Sequence, residues 1–186
     1  MMDVLKKGSP VSFGKSEAVL QVLVDWNGGA ESELSAFLLG DNGKLMHDED
    51  FVFYNNLSAR KGAASYNGGR ECGAGFEMLS FSLASMPDDV NRIAICVSAY
   101  ADEVGNAGCN LGKNGRMIFC RSDSTIEKGS EICALDLEEH ERQNIVLAGM
   151  LYIKDDEWHF RQSGAHSTDG DRSVHEKASG RNEDPS

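Results

Sequence analysis

Oxygen-bearing side chains flank a short apolar run in LMHDEDFVFYNN. Asp48 and Asp50 stand before Phe51 to Tyr54, and Asn55 and Asn56 follow it. A second group, Asp25, Asn27, Glu31 and Glu33, brackets a Gly-Gly turn. Such donors suit a hard cation, because calcium takes six to eight oxygens from carboxylates, carboxamides and backbone carbonyls. The four residues between Asp50 and Asn55 would span roughly 13 to 17 Å if extended. The two ends of the run therefore cannot share one ion, and any site must recruit a different loop at each end. The plainer account of the same residues is a sheet edge finished off with turn residues.

Other chemistries find little support. Gly108 to Asn114, GCNLGKN, is one residue too short for a phosphate-binding loop and has Asn114 where the hydroxyl residue belongs. The stretch from Asp25 fails as an EF-hand, since Ala30 and Ala36 occupy the places of the glycine and the final glutamate. No HExxH zinc motif and no GxSxG nucleophile elbow occurs. His140 lies among glutamates, and His159 alternates with Trp158 and Phe160 in a strand pattern. An enzyme would have to combine the 101–115 loop, with Asp102 or Glu103, and a histidine, so no catalytic residue is assigned.

Thirty acids against 18 bases give a net charge of -12, the wrong field for a nucleic-acid partner. The five cysteines, Cys72, Cys96, Cys109, Cys120 and Cys133, are irregularly spaced and contain no CxxC pair. That argues against a zinc ribbon or a disulfide framework. Cys96 and Cys133 lie in apolar runs, where a thiol acts as a small hydrophobe; Cys72, in a Gly-rich loop, is the one expected to be exposed. No apolar stretch of signal-peptide or membrane-spanning length is present. Together these features suggest a cytoplasmic protein without an integral membrane segment.

The elements that must position these residues are strands. Ala18 to Trp26, Leu34 to Leu39, Phe51 to Tyr54, Arg92 to Tyr100, Arg116 to Arg121, Glu131 to Leu137, Ile145 to Ile153 and Trp158 to Gln162 all have strand composition. Phe76 to Leu83 alternates as well, with Ser80 and Ser82 expected to face water. Asp41-Asn42-Gly43 is a strong turn signal. Residues 55–75 contain five glycines and read as a long irregular connection. Residues 136–144 could hold a helical turn or two. Nine or ten strands without a helix of ordinary length predict an all-β sandwich of two mainly antiparallel sheets with long connecting loops. It should fill residues 1–166. From 167 to 186 the chain is too polar for burial to offset the entropy of ordering, so a disordered tail is expected.

The succession LSAFLL, HDEDFVFYNNLS, a Gly-rich loop and EWHF resembles the TerD family of tellurium-resistance and bacterial stress proteins. The similarity runs from about Leu5 to Gly164, and DEDFVFYNN is its most specific piece. The resemblance implies a non-enzymatic, calcium-binding β-sandwich linked to chemical stress. In the segment that matches the family's aspartate-rich DLDASAFLL, Glu33 stands in an aspartate's place. The family's middle loop is dense with carboxylates; here residues 68–77 read GGRECGAGFE, shorter and nearly stripped of acids, with Gly69 where an aspartate is expected and Arg70 beside it. Leu111-Gly112 replaces the usual Phe-Gly further on.

The resemblance thus implies metal ligands at Asp25, Glu33, Asn55 and Asn56, with Gly69 offering only its carbonyl and Asp48 as a lesser candidate. Fewer anionic ligands mean weaker binding. The expectation is a stress-response protein whose calcium site is weakened or lost, acting with a protein partner. The alternative is a metal-free interaction scaffold.

Overall fold

The computed structural model describes residues 3–4, 10–14, 18–26, 31–68, 77–100, 115–136 and 145–163. Thirteen strands lie among them: β1 (Asp3–Val4), β2 (Val11–Phe13), β3 (Val19–Trp26), β4 (Glu31–Leu39), β5 (Phe51–Val52), β6 (Ser58–Ala59), β7 (Ala64–Asn67), β8 (Met78–Phe81), β9 (Arg92–Tyr100), β10 (Gly115–Ser122), β11 (Ser130–Asp136), β12 (Ile145–Lys154) and β13 (Glu157–Gln162). They form a seven-stranded sheet ordered β1-β11-β10-β3-β8-β7-β6 and a six-stranded sheet ordered β2-β13-β12-β9-β4-β5. Every pairing is antiparallel except that of β1 with β11. The expected sandwich is the architecture found.

Period-two alternation builds the core. Along β4, Leu34, Ala36 and Leu38 join the main cluster between the sheets, whereas Phe37 and Leu39 join a smaller cluster on the outer face. Val22, Phe81 and Phe119 from one sheet and Ile93, Ile95, Leu151, Trp158 and Phe160 from the other are among the main cluster's most buried members. At the bulge where β12 slips register against β9, Gly149 leaves room for a neighbour. A Cβ there would meet the Phe160 ring at 2.2 Å and the Arg161 carbonyl oxygen at 2.6 Å.

Three sequence expectations are revised. The strands not foreseen, β1, β2, β6 and β7, are two to four residues long. So short a run has no periodicity to read, and β1 and β2 are held by β11 and β13, far along the chain. Residues 58–67, expected to be irregular, form the β6–β7 hairpin, in which Ser58 pairs with Ser65 and Ala59 with Ala64. Its bend uses positive φ at Arg60 and Lys61 as well as at Gly62, and neither charged residue signals a turn in sequence. Ser80, expected to face water, is fully buried and donates its hydroxyl to the Thr125 carbonyl at 2.9 Å. The reason is tertiary: the connection between β10 and β11 folds back over the outer face of the seven-stranded sheet.

That connection is pinned by buried polar groups rather than by apolar contact. Gln21, fully buried on β3, donates to the carbonyls of Ser124 and Glu127 at 2.9 and 2.7 Å and accepts from the Gly129 amide at 2.8 Å. Asn67 on β7 donates to the Thr125 carbonyl as well. Elsewhere the Asn-Gly signal is realised, with Gly43 at φ +70 and its amide bonded to the Gly40 carbonyl at 2.9 Å. The β12–β13 turn places Asp155 and Asp156 at φ 52 and 64, the pattern of a two-residue hairpin loop. Of the helical turns expected at 136–144, Asp136 ends strand β11 and the rest lies outside the described residues, as do Cys72 and the polar tail from 167. Gln21→Leu should remove three hydrogen bonds and lower stability by about 1–3 kcal/mol. A lower urea midpoint with an unchanged slope would register that loss.

Candidate metal centre

The DEDFVFYNN segment is held by three separate devices. Val52 enters the main core, while Phe51 and Phe53 point the other way, as alternation requires. Phe37, Phe51 and Phe53 stack in a row with centroids 4.3 Å apart at both steps. After Phe53 the chain turns back, with the amides and carbonyls of Phe53 and Asn56 exchanging bonds of 3.0 and 3.1 Å. The Asn56 side-chain amide then donates to the carbonyls of Phe51 and Glu49 at 2.6 and 3.0 Å. Its amide nitrogen is thereby fixed as a brace. Asn55 is exposed at the tip of the turn.

Asp50 is committed elsewhere. It is 1% exposed, and both its oxygens accept from Arg60, at 2.6 Å from Nε and 2.7 Å from Nη2. Arg60 also donates through Nη1 to Asp89 at 2.8 Å. The bond to Asp50, joined by that to Asp89, raises the guanidinium pKa despite partial burial. The Arg60 hydrogen bond in turn holds the exposed Asp89 carboxyl below its ordinary 3.8. This forked ion pair links the residues just before β5, at the edge of one sheet, to the bend after β6, at the edge of the other.

Strand register locates the expected ligands. β4 pairs with β5 through Ala36–Val52 and Phe37–Phe51. β5 ends at Val52 and the chain turns back after Phe53, so the turn carrying Asn55 and Asn56 leaves β4 beyond Ala36, on the side toward Glu33, without pairing with it. Asp25, near the end of β3, belongs to the other sheet and is exposed, opposite Arg116 in register. Asp48 precedes β5 and therefore lies toward the Leu39 end of β4, roughly 20 Å from Glu33 at about 3.3 Å per residue. Gly69 lies outside the described residues. The strand directions thus separate Asp48 from Glu33 and put the Asn55–Asn56 turn on the Glu33 side of the β4–β5 pair.

A carboxylate with no signal in the sequence pattern, Glu77, meets β4 at the backbone of Leu34. β5 stops at Val52, leaving the β4 edge bare at Leu34, whose amide donates to Glu77 Oε2 at 2.5 Å. Glu77 Oε1 accepts from the Tyr66 hydroxyl at 3.0 Å. The only sequence signal was a lone acid at the end of a Gly-rich loop; its role depends on where a strand in another sheet ends.

As a donor set for calcium the described residues are incomplete. Asp50 is saturated by Arg60, and Glu77 already accepts from two donors. No group of three His, Cys, Asp or Glu side chains comes together among the described residues. Glu33 with the carbonyl oxygens of Asn55 and Asn56 falls well short of six to eight ligands, so further oxygens would have to come from outside this set. Burial pushes the Cys96 thiol up to about 12 and the Cys120 thiol upward too, which makes both poor metal ligands.

A two-sheet body with an oxygen-bearing turn beside one strand end defines a class of β-sandwich proteins, and the comparisons give it a family. The TerD domain pattern matches residues 1–173. The tellurium resistance protein TerD of Serratia marcescens is 32% identical over an alignment covering 91% of this chain and 93% of that protein. General stress protein 16U of Bacillus subtilis is 27% identical, covering 87% and 89%. A crystal structure of a TerD homologue from Streptomyces coelicolor superposes with a TM-score of 0.57 at 13% identity, covering 83% of this chain and 94% of that one, and so supports the fold. The chain belongs to the TerD family.

Arg60→Met should strand the buried Asp50 charge and cost about 3–5 kcal/mol, most of it recovered in the double variant with Asp50→Leu. Chemical denaturation of the three proteins tests this. The Asp89 contribution has an acid signature. Because its folded pKa is lowered, it stabilises above 3.8 and is lost as pH falls through the folded value. The gap between wild type and Asp89→Asn should therefore be present at neutral pH and close in acid melts.

Proposed function

We propose that this protein is a non-enzymatic stress-response member of the family, of the tellurium-resistance type, with a calcium site weaker than the family pattern implies. The observation that carries the reading is the family match across residues 1–173, together with relatives named for tellurium resistance and general stress. The weakening rests on charge. Asp50 is taken by Arg60, Glu77 by Leu34 and Tyr66, and the 68–77 segment has Gly69 and Arg70 where carboxylates would strengthen a cation site.

In this reading Glu33 supplies the anionic contact and Asn55 and Asn56 supply neutral oxygens. Asp25 and the Gly69 carbonyl belong to the same set, and Asp48 to its periphery. Calcium would act by tying the loops at one end of the sandwich together, which a protein partner could sense. The cytoplasm is the compartment this reading assigns. A metal-free scaffold is the second reading, favoured by the ion-paired state of Asp50.

Calcium titration followed by calorimetry and by thermal melting tests the proposal. The expected dissociation constant is on the order of 10⁻⁴ M, since few charged ligands give weak sites. Gly69→Asp should tighten binding, and Glu33→Gln should weaken it. The melting point should rise with calcium as mass action requires. Sub-micromolar affinity in the wild type would overturn the weakened site. No saturable uptake even in Gly69→Asp would favour the scaffold.

A further inference from the structure

At the other end of the six-stranded sheet, away from Glu33, a concavity of about 510 Å³ opens beside the Leu39 end of β4. That volume falls in the range of small-molecule sites, roughly 300–1,000 Å³. Three bases line it, Arg92, Lys154 and Arg161, against one carboxylate, Asp41. For a chain of net charge -12 this is an unexpected balance.

Register explains the convergence. Arg92 on β9 pairs with Tyr152 on β12, and Met150, two residues earlier on β12, pairs with Arg161 on β13. Lys154 follows Tyr152 by two, so it shares the same face. Three adjacent strands thus present their cations to one space. Among the described residues none of the three makes an ion pair or a side-chain hydrogen bond, whereas Arg60, Arg116 and Lys128 are all paired with acids. Glu157, opposite Lys154 in register, forms no bridge to it. Gly43 also matters here, because a Cβ at that position would come within 3.5 Å of Arg92 Nη1.

The concavity has an apolar side as well. Leu39 and Met150 line it, and the Tyr152 ring, stacked on His159 with centroids 5.6 Å apart, adds a flat wall. We infer that this concavity binds a small organic phosphate, its phosphate group held by Arg92, Arg161 and Lys154 and its body lying against Tyr152. Two guanidinium forks match phosphate oxygens in geometry, and the ammonium adds a point charge. The inference is independent of the calcium reading, which concerns the opposite end of the sheet.

Calorimetric titration of the full chain with inorganic pyrophosphate, in metal-free buffer at physiological salt, tests it. Saturable one-to-one binding is expected. Arg92→Gln, Arg161→Gln and Lys154→Gln should each weaken it by about tenfold, as loss of a charged hydrogen bond does. Arg121→Gln on the other sheet makes the same change in net charge and should leave binding unaltered. Thermal melts establish that each variant is folded, and the exposed Arg161 serves if Arg92→Gln is not. A second arm separates the sources of the phosphate. Sedimentation with phosphatidylcholine vesicles containing phosphatidic acid, competed away by pyrophosphate, would assign a lipid headgroup; saturable pyrophosphate binding without sedimentation would assign a free small molecule. Absence of saturable binding, or an equal loss in Arg121→Gln, overturns the inference.

Discussion

The Asp50 carboxylate is 1% exposed, and a buried charge must be neutralised by a partner held in place. Arg60 meets that need with two parallel hydrogen bonds, and in doing so it joins the edges of the two sheets. The bend that delivers Arg60 has left-handed backbone at Arg60 and Lys61, a conformation unfavourable for residues with a Cβ. A forked, buried ion pair is a sufficient reason for the chain to accept it. The same interaction removes Asp50 from metal chemistry.

The opposing ends of the six-stranded sheet have opposite electrostatic character. The Glu33 end of β4 carries a carboxylate; toward Leu39 and Arg92 lie three bases, unpaired among the described residues, around a concavity. Between them run Phe37, Leu39, Ala94, Cys96 and Met150, a buried apolar band on the outer face. Such a band is rigid, because stacked rings and close-packed aliphatic side chains leave little freedom for rearrangement. A cation at one end and an anion at the other would therefore act on a shared, stiff platform. The opposite sheet is stiffened by a different means, with Gln21, Asn67 and Ser80 holding a loop by hydrogen bonds.

The long strands were legible in the sequence because each carries its own periodicity. Arg92 to Tyr100 reads as a strand and is one, placed centrally between β12 and β4. The strand composition of Phe51 to Tyr54 implies alternation, and Val52 enters the core while Phe51 and Phe53 stack on the other face. The candidate site was legible only as a set of residue types. Glu77 was overlooked because a single acid after glycines carries no pattern, and its importance comes from a bare strand edge 43 residues earlier. Ser80 was misjudged because alternation gives the face of a strand but not what covers that face.

The order of residues alone determined that this chain would form two sheets, since alternating side chains must place their apolar half against a second layer. It also determined which oxygens were available near FVFYNN and how little negative charge the following loop contributes. Tertiary structure decided how those charges are used. Asp50 faces an arginine, Glu77 satisfies an amide on the bare edge of a strand in the other sheet, and Arg92, Lys154 and Arg161 meet across three strands. No local pattern encodes these pairings, because electrostatic contacts follow distances in space that only the register of the sheets sets.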